Sequence, residues 1–217
     1  MTVQSAAARA KRILMVGAPG AGKGTQADAI AKQFGITHIA SGDILRRHIS
    51  QGTTIGRTVE DIVNKGELVP DAMIMDMLRK PVLAAADTGG YVLDGFPRTV
   101  EQAEAAYRTA GNLGVGVQIA VHLDVPEEEL IRRLLARARG ADDTEDVIRH
   151  RIKVYEDKTR PLLEYYAQRE LLIQVNGARP VAEVTWSIVV QLQRAFKRST
   201  AHGTAARPAT AADRAVA

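Results

Sequence analysis

The chain has no cysteine among its 217 residues, which excludes a disulfide framework and a thiolate metal site. It has no apolar run approaching the roughly 20 residues of a membrane span, and no apolar signal-peptide core near its start. The default reading is a soluble cytoplasmic protein without membrane association. None of His38, His48, His122, His150 or His202 stands in an acid–base arrangement, so all five read as structural or surface residues. An Asn-Lys-x-Asp guanine reader is lacking as well, because Asn64-Lys65-Gly66-Glu67 fails at its last position. There is no internal repeat.

Excess charge is also missing from the body of the chain. The net charge of +4 belongs to the two ends. Arg9, Lys11 and Arg12 face no acid, and Arg194, Lys197, Arg198, Arg207 and Arg214 face only Asp213, which leaves the body net acidic. That distribution argues against a specific nucleic-acid surface. Both ends are rich in Ala, Thr and Arg and poor in large apolar residues, so 1–11 and 198–217 are expected to be disordered tails. What remains, 12–197, suffices for one sizeable core with a small inserted lobe.

Apolar runs at Ile13–Val16, Ile36–Ile39, Tyr91–Leu93, Ile119–Leu123 and Leu171–Val175 read as strands covered on both faces. Between them lie helical stretches near 23–33, 42–49, 54–64, 71–86, 100–110, 127–136, 144–168 and 182–198. The alternation predicts a three-layer α/β fold on a central parallel five-stranded sheet. Pro161 should bend or break the helix of 144–168. Residues 40–86 hold three helices where one crossover would do, so an extra lobe is expected there. The polar stretch 137–143 should be a short exposed loop.

The most informative segment is Gly17-Ala18-Pro19-Gly20-Ala21-Gly22-Lys23-Gly24-Thr25, set between the first strand and the first helix. Strand, glycine-rich loop and helix together make a phosphate cradle, with backbone N–H groups turned inward and the helix dipole and Lys23 supplying positive charge. This implies binding of a nucleotide polyphosphate. The residue after Lys23 is Gly24, and the hydroxyl comes one position later at Thr25. A magnesium ion is therefore expected to be held through water and the substrate phosphates rather than by a hydroxyl beside the lysine. Asp94, closing an apolar strand, is the carboxylate placed to reach that ion through water.

Four more segments follow in order: Ser41-Gly42-Asp43-Ile44-Leu45-Arg46; Gly66-Glu67-Leu68-Val69-Pro70; Leu93-Asp94-Gly95-Phe96-Pro97-Arg98-Thr99 with Gln102; and Arg137 through Asp143. With the wording of the glycine loop, they resemble the adenylate kinase family from about Arg12 to Phe196. The resemblance implies that Lys23 and the backbone of Gly20, Ala21, Gly22, Gly24 and Thr25 hold the ATP phosphates, and that Arg179 touches the ATP base. It implies an AMP site made of Ser41, Arg46, the backbone of Glu67, Leu68 and Val69, then Gly95, Phe96, Pro97 and Arg98. Gln102 would read the adenine edge. Ser41 could also cap its helix. Arg133, Arg137, Arg139 and Arg151 resemble the arginines that converge on the transferring phosphoryl group, with Arg139 and Arg151 also serving AMP. Asp142 and Asp143 would orient those arginines.

The family architecture implies an AMP-binding lobe at 40–69 and a short lid at 136–143, closing over the two nucleotides. The lid lacks the inserted domain of long-lid relatives, so no zinc is expected. Phosphoryl transfer with a loose transition state needs positioned positive charge rather than a general base, which suits the arginine count. The implied partners are ATP, AMP and ADP, and a monomer is expected. A kinase for UMP or CMP remains an alternative, although Thr99 stands where such kinases carry asparagine. A non-catalytic nucleotide-binding module is a further one.

Overall fold

The computed structural model describes residues 10–137 and 144–201, with side chains through 198. Five parallel strands form one sheet: β1 (Lys11–Val16), β2 (Thr37–Ala40), β3 (Gly90–Asp94), β4 (Ile119–Asp124) and β5 (Leu172–Asn176), ordered β2-β3-β1-β4-β5. All four pairings are parallel, with Ile13 opposite both Val92 and Ile119. The five expected runs are therefore the five strands, each within two residues at either end.

The helices are α1 (Lys23–Phe34), α2 (Ser41–Ser50), α3 (Thr54–Asn64), α4 (Asp71–Asp87), α5 (Val100–Asn112), α6 (Glu127–Arg137), α7 (Glu145–Val154), α8 (Pro161–Ala167) and α9 (Val181–Ala201). Alternate residues of β1 feed opposite cores, as strand geometry requires. Ile13 and Met15 pack with residues of α1, α6, α7 and α9, whereas Leu14 and Val16 pack with residues of α2, α3, α4, α5 and α8. Helices on both faces explain why the central strands read as unbroken apolar runs.

Two boundaries need correction. Ordered structure starts before 12 and ends beyond 197: Lys11 pairs with Gly90, its ammonium lies 5.7 Å and 5.9 Å from the ring centres of Phe34 and Phe196, and Ala10 is buried. The expected tails beyond these points, 1–9 and 202–217, lie outside the described residues. The helix expected over 144–168 is divided into α7, a π-helical turn at Tyr155–Thr159, and α8. Pro161 has no N–H to donate, and the chain accommodates it by widening the turn before it. Arg160 N–H bonds back to Tyr155 O at 2.9 Å, and Pro161 takes the first helical position of α8, where no donor is required. The segment 40–86 supplies α2, α3 and α4, as the sequence suggested.

Candidate active site

The carboxyl ends of β1 and β3, at the centre of the sheet, carry the chemistry-bearing loops, as open parallel sheets dictate. From β1, the chain turns at Gly17 and opens α1 at Lys23. Gly20 has φ 84°, and a Cβ there would stand 2.9 Å from both Leu130 O and Leu134 Cγ, so the turn admits no side chain. Gly22 caps α1 in the left-handed region at φ 92°. The Lys23 ammonium donates to Gly17 O at 2.8 Å and Ala18 O at 2.9 Å, which holds it over the mouth of the loop. Burial lowers its pKa to about 8; Asp94 opposes that shift, and Arg98, Arg151 and Arg137 reinforce it.

From β3, Asp94 is brought opposite Met15 and Ala40, and its carboxylate oxygen lies 3.6 Å from where a Cβ on Gly24 would stand. The next turn seats Arg98, whose Nε donates to Gly95 O at 2.8 Å. Burial lowers the Arg98 pKa, Asp94 counteracts this, and Arg151 and Arg46 add to it. Gly95 has φ 85°, and a Cβ there would meet Ser41 Oγ at 2.5 Å.

Ser41 departs from one expectation. The N-cap of α2 is Ala40, with no side-chain capping bond, and Ser41 is the first helical residue. Ser41 is 1% exposed, and its buried hydroxyl has no hydrogen-bond partner among the described residues. A buried hydroxyl without a partner costs free energy, so it marks a position where a ligand can supply the bond. Around it lies a small hollow of about 60 Å³, lined by Ser41, Arg46, Leu68, Val69, Phe96 and Arg98, among others. Gln102 and Arg151 reach the same hollow. The Gln102 carbonyl accepts from Arg98 N–H at 2.7 Å, and its amide donates to Asp71 Oδ1 at 2.7 Å. These bonds use one N–H and one lone pair of the Gln102 amide, half of what it offers. Glu67 also lines the hollow, and its carboxylate meets His150 Nε2 at 2.7 Å. Arg46 is paired with Asp43 along α2.

The larger cleft, about 830 Å³, runs from the glycine loop past Asp94 to Gly42 and Arg46. Seven arginines line it: Arg46, Arg98, Arg132, Arg133, Arg137, Arg151 and Arg179, together with Lys23. Arg151 and Arg98 reach this cleft, the small hollow and the narrow gap of about 80 Å³ between them. The site residues singled out above that are described each line one of these three adjoining spaces, which share Gly95, Arg98 and Arg151. Arg139, Asp142 and Asp143 lie outside the described residues.

Two supports went unnoticed in the sequence. Glu129 accepts from Arg133 Nε at 2.6 Å and from Arg132 Nη2 at 2.7 Å, which lowers its own pKa to about 2 through the Arg132 and then the Arg133 bond. Arg133 is further tied to Gly177 O at 3.1 Å. Gln26, 3% exposed in the first turn of α1, donates to Val181 O at 3.2 Å and accepts from Thr185 Oγ1 at 2.7 Å. The i,i+4 spacing of Glu129 and Arg133 was legible; the reach of Gln26 across 155 residues was not. The four described histidines are engaged structurally, with Asp28, Thr53, Tyr155 and Glu67. Burial also lowers the pKa of His122.

A five-stranded parallel sheet, a glycine-loop lysine and a second arginine-lined hollow define a P-loop nucleotide phosphotransferase. A model of the adenylate kinase family matches residues 15–171. Curated relatives named adenylate kinase include those of Leptospira biflexa serovar Patoc, 42% identical over 82% of this chain and 98% of its own length. Another, from Synechococcus sp. strain WH7803, is 43% identical over 84% of the chain and 98% of its own length. One from Thermobifida fusca is 40% identical over 84% and 98% respectively. The chain belongs to the adenylate kinase family.

Proposed function

We propose that the chain transfers the terminal phosphoryl group of Mg-ATP reversibly to AMP, giving two ADP. The observation that carries this is the pair of adjoining arginine-lined spaces, one at the glycine loop and one at Ser41, which share Arg98 and Arg151 in their linings. A module that merely held one nucleotide would have no use for the second.

ATP phosphates lie against the N–H groups of 20–25 and Lys23, with the base towards Arg179 and the start of α9. The AMP phosphate meets Arg46, Arg98 and Arg151, the hydroxyl of Ser41 bonds the nucleotide, and Gln102 offers its spare amide groups to the adenine. Arg133, Arg137 and Arg151 neutralise charge on the group in flight, and Arg139 is assigned the same task. Attack comes from an AMP phosphate oxygen, already ionised at neutral pH; the bond to the ADP leaving oxygen breaks, and no proton need move.

Asp94 beside Gly24 suits a magnesium ion held mainly by phosphate and water. Among the described residues no group of three or more His, Cys, Asp or Glu is arranged to hold a metal by itself. Such an ion would supply positive charge against the phosphates, with Asp94 placed to reach it through water. No zinc role is assigned. Among the described residues no helix is long and apolar enough to cross a membrane. A cytoplasmic monomer working on free nucleotides is the setting we propose.

Acceptor choice tests the reading. With ATP as donor, AMP should be phosphorylated far faster than UMP, CMP or GMP in one coupled assay. A compound joining two adenosines through five phosphates should bind with a single equivalent and block turnover. Equal use of UMP would transfer the assignment to a pyrimidine-nucleotide kinase.

A further inference from the structure

Gln102 is a buried amide, 2% exposed, that lines the Ser41 hollow, and its two ends meet partners of opposite kind. Its carbonyl accepts from the Arg98 backbone N–H at 2.7 Å, and its NH2 group donates to Asp71 Oδ1 at 2.7 Å. A backbone N–H only donates and a carboxylate only accepts, so these partners admit a single orientation of the amide. Turning it over would set NH2 against N–H and oxygen against carboxylate. The backbone is held as well: Gln102 N–H donates to Thr99 Oγ1, the cap of α5, at 3.2 Å.

Asp71 is placed for this by its own helix. Pro70 precedes it as the cap of α4 and accepts from Met73 and Ile74 N–H at 3.1 Å and 3.2 Å. Asp71 takes the first helical position, where the helix dipole favours a carboxylate. Val69 and Ile74, on either side, are buried in the core cluster that also holds Phe96 and Ala103, the neighbour of Gln102. Asp71 itself is exposed and is not part of the hollow's lining. It therefore touches the Gln102 amide from outside the hollow, across 31 residues of chain.

We propose that Asp71 is a specificity-determining positioning residue: it holds the Gln102 amide in the orientation that suits a 6-aminopurine and refuses a 6-oxopurine. The inference rests on the AMP assignment above and names how that site chooses its base. Adenine carries an amino donor at its six-position, beside the N1 acceptor. Hypoxanthine and guanine carry an oxygen acceptor there, beside an N1–H donor. The two edges are opposite in sense, so an amide fixed for one is mispaired with the other, and turning it over exchanges the preference. Without the carboxylate, only the Arg98 N–H resists that turn.

Asp71→Asn separates orientation from contact. An asparagine amide still bonds Gln102, but it presents either end and no longer dictates which way Gln102 points. With ATP as donor, kcat/KM is measured for AMP and for inosine monophosphate (IMP), its 6-oxo counterpart. In the variant, kcat/KM for IMP should rise about tenfold, the scale of one hydrogen bond to a charged acceptor, while AMP loses at most about twofold and KM for ATP stays in place. Damage to the fold lowers the rate with both acceptors; only release of the amide raises one. In a Gln102→Met background, with no amide to orient, Asp71→Asn should leave the AMP-to-IMP ratio unmoved. An unchanged ratio in Asp71→Asn alone overturns the proposal, and that result stands even if Gln102→Met does not fold. An equal fall with both acceptors overturns it in favour of a structural role. An undiminished effect in the Gln102→Met background overturns the route through Gln102. An unmodified chain that makes no ADP from ATP and AMP loses the proposed function instead, whereas one that makes ADP and fails the IMP test loses this inference alone.

Discussion

The lysine of the glycine loop works close to its own titration. Its ordinary pKa is 10.5, and burial with three nearby arginines brings it down to about 8. The charged form binds phosphate, so lowering the pKa moves the loss of that charge from above pH 10 to about pH 8. Hence kcat/KM for ATP should fall as pH rises through 8. In Lys23→Arg, a guanidinium stays protonated, so the much lower remaining activity should show no break there. A pH profile of both proteins decides the matter; an unbroken profile in the unmodified enzyme would refute the assignment.

Ser41 makes a second prediction at the same scale. Removing a buried hydroxyl that lacks a partner relieves a cost of about 1 kcal/mol, whereas removing its bond to a ligand loses a similar amount from binding. Ser41→Ala should therefore melt no lower than the parent, and KM for AMP should rise roughly fivefold to tenfold. Denaturation and steady-state kinetics on the same preparation check both halves. A drop in stability with unchanged KM would mean the hydroxyl serves the fold alone.

Elements were legible wherever the signal was local. Gly20 and Gly22 announce a turn through spacing that a few residues suffice to read, and the apolar runs 13–16 and 119–123 announce strands covered on both sides. The π-turn at Tyr155–Thr159 was not legible, because Pro161 says only that a helix is disturbed; whether it kinks, stops or widens depends on what packs beneath it. Ser41 was half legible: its position opening a helix suggested a cap, but the backbone places Ala40 there instead. Gln26 was hidden altogether, since its partners lie on α9. That contact links the helix at the ATP phosphates to the helix that begins beside Arg179. Gln26→Leu should raise KM for ATP several-fold, as expected for the loss of two hydrogen bonds of about 1 kcal/mol each at most, and leave KM for AMP unchanged. Thr185→Val should give part of the same effect, and the double variant should be less than additive because both changes break one network. Equal rises in both KM values would indicate a general loss of structure.

At the scale of the whole molecule, seven arginines and Lys23 share a cleft whose lining offers four acids, Asp28, Asp43, Asp94 and Glu129, in return. Mutual repulsion on this scale makes the cleft costly to keep, and it adds to burial, the larger cause, in lowering the pKa values of Lys23 and Arg98. Anions that bridge the two sides should relieve it. One ligand that fills both nucleotide sites recruits the arginines of each, whereas ATP or AMP alone leaves part of the set facing like charge. The two-adenosine pentaphosphate at a hundred times its Kd should stabilise the fold by about 2.7 kcal/mol, a rise in Tm of about 5–10 °C for a chain of this length. By mass action alone, ATP or AMP at the same multiple of its own Kd gives that same shift. The informative comparison is therefore the concentration needed, which should be orders of magnitude lower for the bridged compound. Raising salt should narrow the gap, since screening weakens the repulsion that the bridge relieves. If the bridged compound needs as much material as ATP alone, the two spaces do not act together, and the cleft is a single-nucleotide site with surplus arginines.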